Sequence, residues 1–117
     1  MKKRRQYCLT LDLNADKELA RQYEEYHKPG NVWLEVIDNI LESGILDMQI
    51  YRSGTQLIMV MTVMDSFSFE DKARRDSQNP RVVEWERLMA RFQHTDNQAS
   101  AVAKWQVLSN IFDLEQH

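Results

Sequence analysis

The sequence predicts an α+β domain of the ferredoxin-like type, in which helices cover one face of a four-stranded antiparallel sheet. Residues 7–13 place apolar side chains at every second position, which is typical of a half-buried strand. Residues 45–51 and 55–64 are apolar runs on either side of Arg52-Ser53-Gly54, and this composition predicts a β-hairpin. Helical patterns separate these strands. The order strand, helices, strand, strand, helices, strand is that of a split βαβ unit.

Two helices are predicted in the first crossover. Asn14 is expected to cap the first helix, which ends near Lys28 because Pro29-Gly30 favours a turn. Asn31 is expected to cap the second helix, whose apolar positions keep a helical spacing as far as Ser43-Gly44.

The run from Leu57 to Met61 is apolar at every position. Such a strand is covered on both faces, so we expect it to lie centrally in the sheet. The helices cover one face only. We therefore expect a second copy of the chain to cover the other face, giving a sheet-to-sheet homodimer; the alternative is a monomer whose second face is solvated.

The second crossover repeats the pattern of the first. Ser66 and Ser68 are both candidates to cap a short charged helix that ends by residue 77, and Asn79-Pro80 is expected to start a helix with an apolar stripe. Residues 93–100 are predicted to form a polar loop. Residues 105–114 are predicted to form the closing strand, with one irregularity.

The composition predicts one domain spanning residues 1–117, with residues 1–5 as a loose lead-in. A net charge of −3 argues against a nucleic-acid-binding or anionic-membrane surface. No apolar run reaches the length of about 18 residues that a membrane span needs, and the pattern of a signal peptide is missing. Cys8 is the single cysteine, so we expect a reducing, cytoplasmic location.

Several kinds of chemistry have no support in the sequence. His27, His94 and His117 lack the spacing of metal ligands, and no glycine-rich phosphate loop or nucleophile elbow occurs. We therefore predict no metal and no cofactor. What remains is acid/base chemistry on a small molecule, or plain binding.

Tyr23 and His27 are the strongest candidates for such chemistry. Residues four apart share one face of a helix, so the phenol and the imidazole are expected to project together from the end of the first helix. The unperturbed pKa of histidine lies near neutral pH, which suits proton transfer to and from a hydroxyl group. The alternative is that both rings simply pack at a helix end.

Three further residues could contact a ligand. Trp85 could present a flat apolar face to a sugar ring, although core packing is the more common reason for such a position. Asp47 could hydrogen-bond hydroxyl groups from the polar side of its strand, or simply face solvent. Glu86, next to Trp85, is by default a solvated helix charge.

Five motifs in order over nearly the whole chain make it similar to the L-rhamnose mutarotase family. None of these motifs is specific alone. They are Tyr23-x-x-x-His27, Trp33-Leu34-Glu35, residues 47–52, Asn79-Pro80 with residues 84–89, and Lys104-Trp105-Gln106 followed by Ile111-Phe112.

The resemblance implies a cofactor-free interconversion of the α and β anomers of a 6-deoxy-L-hexose, in a dimeric α+β barrel. It implies that His27 is the catalytic residue, that Tyr23 contacts the sugar and that Trp85 is a stacking wall. Met48 and Glu86 replace a tyrosine and a tryptophan of the rhamnose enzymes, and the stretch between His27 and Trp33 is two residues longer. The expected substrate-binding residues are Trp33, Asp47, Met48, Trp85 and Glu86.

The sugar is either L-fucose or L-rhamnose, and the departures favour L-fucose slightly. The alternative is a ligand-binding or cofactor-free oxygenase-like member of the same fold, because one scaffold can carry unrelated sites. An oxygenase-like pocket would be deeper and mostly aromatic. A mutarotase is expected to hold His27, Tyr23 and Asp47 around a small polar cavity.

Overall fold

A computed structural model describes residues 5–94 and 104–117 of the chain. Its elements follow the predicted order and confirm the α+β class. They are β1 (Arg5–Asp12), α1 (Lys17–Tyr26), α2 (Leu34–Glu42), β2 (Ile45–Ser53), β3 (Gln56–Val63), α3 (Phe69–Gln78), α4 (Pro80–Ala90) and β4 (Gln106–Val107), followed by a 3₁₀ turn at Leu114–Gln116.

The four strands form one antiparallel sheet in the order β2-β3-β1-β4. The predicted central position of residues 57–61 is confirmed, because β3 lies between β2 and β1. Among the described residues, the helices cover one face of β3 only: Leu57 and Met61 are buried, whereas Ile58 and Val60 on the opposite face stay partly exposed. A cover for that second face stays a prediction.

The core lies between the sheet and the helices. Buried side chains of β1 and β3, such as Leu9 and Val63, meet buried side chains of α4, such as Val82 and Met89. The amphipathic spacing of α4 and the period-two spacing of the strands therefore direct their apolar faces to the same layer. No helix in the described part of the chain is long and apolar enough to cross a membrane.

The helix caps were predicted correctly in the second half and wrongly in the first. Ser68 and Asn79 cap α3 and α4 through their side chains, as predicted. The cap of α1 is Asp16, whose carboxylate accepts the N–H groups of Glu18 and Leu19 at 2.9 and 3.1 Å. The predicted cap, Asn14, is held elsewhere, because its amide donates to the Arg91 carbonyl at 3.3 Å.

The second helix begins later than predicted. Asn31 does not cap α2, because its side chain donates to the Glu25 carbonyl at 2.7 Å and so closes the end of α1. Trp33 occupies the cap position of α2 and makes no side-chain capping bond. The Asn31 side chain, which was predicted to start the second helix, thus belongs to the turn that joins the two helices.

The closing strand is much shorter than predicted. Only Gln106 and Val107 form β4, and the ladder with β1 ends where the Leu108 N–H donates to the Cys8 carbonyl at 2.7 Å. Beyond it the apolar side chains are not covered by the residues that the structure describes, and Ile111 is 95% exposed. Apolar spacing alone therefore predicted a strand that this chain does not form by itself.

The chain start and the predicted polar loop also differ in part. Arg5 belongs to β1, and its guanidinium donates to the carbonyls of Asp65 and Phe67 at 2.5 and 2.9 Å, so it is not part of a loose lead-in. Gln93, expected in the loop, is buried. The rest of the lead-in (residues 1–4) and residues 95–100 of the loop lie outside the described residues.

Candidate active site

A cavity of about 190 Å³ lies between the covered face of the sheet and the helices. It is smaller than the roughly 300–1,000 Å³ typical of pockets for drug-sized ligands, and suits a compact molecule. Aliphatic side chains and methionines form most of its wall, so it is less polar than predicted. The lining residues that matter for chemistry are Tyr23, His27, Met48, Trp85, Glu86 and Gln93.

The end of α1 brings Tyr23 and His27 to this cavity together. Tyr23 lies in the last turn of the helix, and His27 is the C-cap residue that follows it. Their ring centroids are 4.3 Å apart with the planes inclined by 33°. The predicted four-residue spacing on one helix face thus holds, even though regular helix ends at Tyr26.

The backbone fixes the protonation of the His27 ring. Nδ1 of His27 lies 2.7 Å from the Tyr23 carbonyl oxygen, which can only accept, so Nδ1 carries the proton. In the neutral ring, Nε2 is then the free base. Burial lowers the pKa of His27, although the Tyr23 carbonyl and the Glu86 carboxylate oppose this shift. The ring is therefore a neutral base at physiological pH.

Tyr23 is only 3% exposed, and its hydroxyl interacts with the Gln93 side chain. Burial raises the pKa of Tyr23 far above its ordinary value, and the nearby Glu86 charge adds to this effect against the opposing hydrogen bond from Gln93. The phenol therefore keeps its proton. It can donate a hydrogen bond but is a weak proton donor in acid catalysis.

Trp85 forms an apolar wall beside His27. The two ring centroids are 5.7 Å apart with the planes at 70°, so the indole meets the imidazole edge to face. Trp33 lies apart from the lining residues, against the Trp85 ring at 5.2 Å, and the Arg81 guanidinium lies 4.0 Å above its ring centre. Trp33 therefore supports the wall and, within this chain, does not reach the cavity.

The strand β2 divides two other predicted residues between its faces. Met48 points inward and lines the cavity. Asp47 is exposed on the opposite face, where its carboxylate accepts a 2.7 Å hydrogen bond from Gln49. Adjacent residues of a strand face opposite sides, so the two cannot line one cavity. Asp47 therefore does not join His27 and Tyr23 there.

Glu86 lines the cavity and is paired with a buried lysine. Nζ of Lys104, whose side chain is fully buried, lies 2.9 Å from Glu86 Oε1 and 3.1 Å from Gln93 Oε1. Sequence reasoning missed Gln93 as a site residue and quoted Lys104 only within a motif. A polar residue expected in a loop gives no signal of burial, so only the fold could reveal this network.

A second polar group borders the cavity away from His27. Lys72 and Asn39 both line it, and both bond to the buried Asp76 carboxylate, at 2.6–2.7 Å and 2.7 Å respectively. This ion pair joins adjacent turns of α3 and fixes α2 against it. Its polar groups satisfy one another, which is the requirement for burying them.

Metal ligation has no candidate among residues 5–94 and 104–117, because no three histidine, cysteine, aspartate or glutamate side chains gather there. The expectation of metal-free and cofactor-free chemistry stays a prediction. The side chains that do converge are a neutral base, a neutral hydroxyl donor, a carboxylate and an aromatic wall. Such a set can bind a small polyol and move one of its protons.

The fold and the cavity thus define a ferredoxin-like small-molecule enzyme whose imidazole can act as a base. Comparison with known proteins agrees with this class and makes it specific. Residues 6–114 match the sequence profile of the L-rhamnose mutarotase family. The chain belongs to this family, whose members are carbohydrate isomerases.

Individual relatives are similar over most of their length. An L-fucose mutarotase of Xanthomonas campestris pv. campestris is 40% identical over 109 residues, which are 93% of this chain and 87% of that protein. A Dictyostelium discoideum protein is 34% identical over 113 residues, covering 93% and 89% of the two chains. The crystal structure of the L-rhamnose mutarotase of Formosa agariphila has the same fold, with a TM-score of 0.70, 16% identity, and coverage of 94% of this chain and 98% of that one.

Proposed function

We propose that this protein interconverts the α and β anomers of a 6-deoxy-L-hexose pyranose, with His27 as the acid/base residue. The observation that carries the proposal is the His27 ring, which lines the cavity, is neutral because of burial and is held with Nε2 as its free base. Membership of the mutarotase family supports the reaction class.

The reaction moves one proton and breaks one ring bond. His27 Nε2 takes the proton from the anomeric hydroxyl O1, the bond between C1 and the ring oxygen breaks, and the ring oxygen receives a proton from the imidazolium. The product is the open-chain aldehyde. Rotation about C1–C2 and the reverse steps close the ring on the other face of C1. Proton transfer of this kind contributes roughly 10²–10⁴-fold to rates in enzymes.

The other cavity residues bind the sugar in this proposal. Trp85 offers its apolar ring to the C–H groups of the sugar, and Met48 packs against the methyl group that marks a 6-deoxy sugar. Tyr23 and Glu86 supply a hydrogen-bond donor and an acceptor. L-fucose is the favoured substrate, because 40% identity links the chain to an L-fucose mutarotase.

The oxygenase-like alternative finds less support in the cavity. Such a pocket was expected to be deep and mostly aromatic, whereas aliphatic side chains and methionines form most of this wall. The five motifs, the family profile and the base at His27 all favour the mutarotase.

We also propose that the protein works as a homodimer. The open face of the sheet carries partly exposed apolar side chains such as Val60, and the segment after β4 exposes Ile111 and Phe112 by 95% and 65%. Exposed apolar surface of this kind commonly marks an interface. A partner copy would cover the face that the helices leave open.

The proposed activity can be tested by NMR saturation transfer between the two anomeric proton signals of L-fucose, and in parallel of L-rhamnose. We expect the wild-type protein to speed the exchange, and His27→Ala to reduce the enhancement by roughly 10²-fold or more. His94→Ala is the matched control, because His94 is exposed and lies outside the cavity lining. Wild-type protein without effect on either sugar would contradict the proposal.

A further inference from the structure

We propose that Lys104 is a positioning residue that sets the direction of a hydrogen-bond chain through Gln93 to Tyr23, so that Tyr23 presents its hydroxyl proton to the sugar and Glu86 presents a free carboxylate oxygen. This proposal deepens the proposed function, on which the identity of the ligand as a sugar rests. The orientation of the Gln93 amide rests on its distance to Lys104, and its hydrogen bond to Tyr23 is part of the inference.

Lys104 has no proton left for a ligand. Its ammonium group has three N–H donors and meets three acceptors: the Glu86 carbonyl at 3.1 Å, Glu86 Oε1 at 2.9 Å and Gln93 Oε1 at 3.1 Å. Its side chain is completely buried. A buried ammonium in this state can act only through the groups that it holds.

The lysine fixes which end of the Gln93 amide faces Tyr23. An ammonium group can only donate, so the atom of Gln93 that faces Lys104 must be the carbonyl oxygen Oε1. The –NH₂ end then remains for the Tyr23 hydroxyl, with which the Gln93 side chain interacts and beside which it lines the cavity. An amide –NH₂ group can only donate, so in this inference the Tyr23 oxygen accepts from it.

Because the Tyr23 oxygen accepts from Gln93, its own proton points elsewhere. Tyr23 lines the cavity, where the proton can meet a sugar oxygen. The same lysine holds Oε1 of Glu86, a second lining residue, which leaves Oε2 as the acceptor for a sugar hydroxyl. One buried cation thus prepares a donor and an acceptor on the same cavity wall, and sugars with the matching hydroxyl orientation are favoured.

Two substitutions of Gln93 separate this proposal from a purely structural role. Gln93→Glu keeps the pairing with Lys104, but a carboxylate only accepts, so Tyr23 must turn its proton to residue 93. We expect kcat/KM for L-fucose to fall about 10–100-fold, close to the value of Tyr23→Phe. Gln93→Met removes both hydrogen bonds yet leaves the Tyr23 proton free, so it is expected to retain more activity than Gln93→Glu.

A structural role predicts the opposite order. Gln93→Met loses two buried hydrogen bonds and would then be the more damaged protein in both stability and kcat/KM. Thermal unfolding of each variant reports the structural loss separately. If Gln93→Glu has wild-type kcat/KM, or more than Gln93→Met, the proposed direction of the chain is wrong.

A third measurement needs no sugar. In ¹⁵N-labelled protein, the side-chain amide signal of Gln93, assigned by its loss in Gln93→Glu, should shift in Tyr23→Phe and in Lys104→Met. Lys72→Met is the matched control, because Lys72 is another lysine in an ion pair that does not touch Gln93. An amide signal that stays in place in both variants would contradict the proposed hydrogen-bond chain. Wild-type protein that is inactive on both sugars would contradict only the proposed function.

Discussion

Burial makes the imidazole of His27 a base whose charge state depends on pH in a defined direction. Its pKa is lowered from the ordinary value of 6.5, chiefly by loss of hydration. We expect kcat/KM to be constant through neutral pH and to fall on the acid side with an apparent pKa below 6.5. A midpoint above 6.5 would contradict the assignment of His27 as the base in the free enzyme.

The same shift predicts a pH-dependent stability. Between its lowered pKa and 6.5, His27 is neutral in the folded chain and protonated in the unfolded chain, so the unfolded state binds more protons. The free energy of unfolding should therefore rise with pH across this window and gain nothing further from His27 above it. Urea unfolding of wild-type protein and His27→Asn, compared from pH 5 to pH 8, measures this difference in slope.

Single residues also show where sequence reasoning ends. The spacing of Tyr23 and His27 was sufficient to place both at the cavity, because four residues along a helix return to the same face. Asp47 was placed on the polar side of β2, but the cavity lies on the other side. The burial of Gln93 and Lys104 depends on contacts between α4 and the chain before β4, which no local pattern encodes.

At the scale of the element, the start of α1 determines how firmly the helix that carries Tyr23 and His27 is held. Asp16 satisfies two N–H groups at its first turn. We expect Asp16→Ala to lower the free energy of unfolding by about 1 kcal/mol, the usual value for loss of such a cap. Asn14→Ala is the matched control with a smaller expected loss, because Asn14 makes a single 3.3 Å bond near the surface. Equal losses would contradict the assignment of the cap.

Elements with strong periodic signals were predicted well, and their ends were not. The seven helices and strands from β1 to α4 lie close to where the sequence pattern placed them, whereas Asn14 and Asn31 were assigned as caps of the wrong turns. A polar side chain near a helix end can bond to any of several free backbone groups, and sequence does not reveal which one. The closing strand failed for another reason, because no described residue covers the side chains after β4, such as Ile111.

At the scale of the whole molecule, the described residues leave one face of the sheet and the apolar segment after β4 partly or fully exposed. We expect light scattering to give twice the mass of a single 13.9 kDa chain. Val60→Glu, at the centre of the open face, should shift the protein towards monomer, because it would bury an unpaired charge in the interface. Leu34→Glu is the matched control, since Leu34 is 68% exposed on α2. A monomeric wild-type protein would refute the dimer, and the cytoplasmic location stays a prediction of the sequence.

The methionines of the cavity wall have a consequence for the energetics of turnover. Met48, Met59, Met61 and Met89 all line it, and their unbranched thioether side chains change shape easily. The α anomer, the β anomer and the open-chain form of a sugar differ in shape, and all three contact the same wall. A wall that readjusts can hold each shape with similar affinity, so neither anomer becomes trapped as a tight complex. In a catalyst that only speeds the approach to equilibrium, similar affinities for the two anomers prevent either one from inhibiting the conversion of the other.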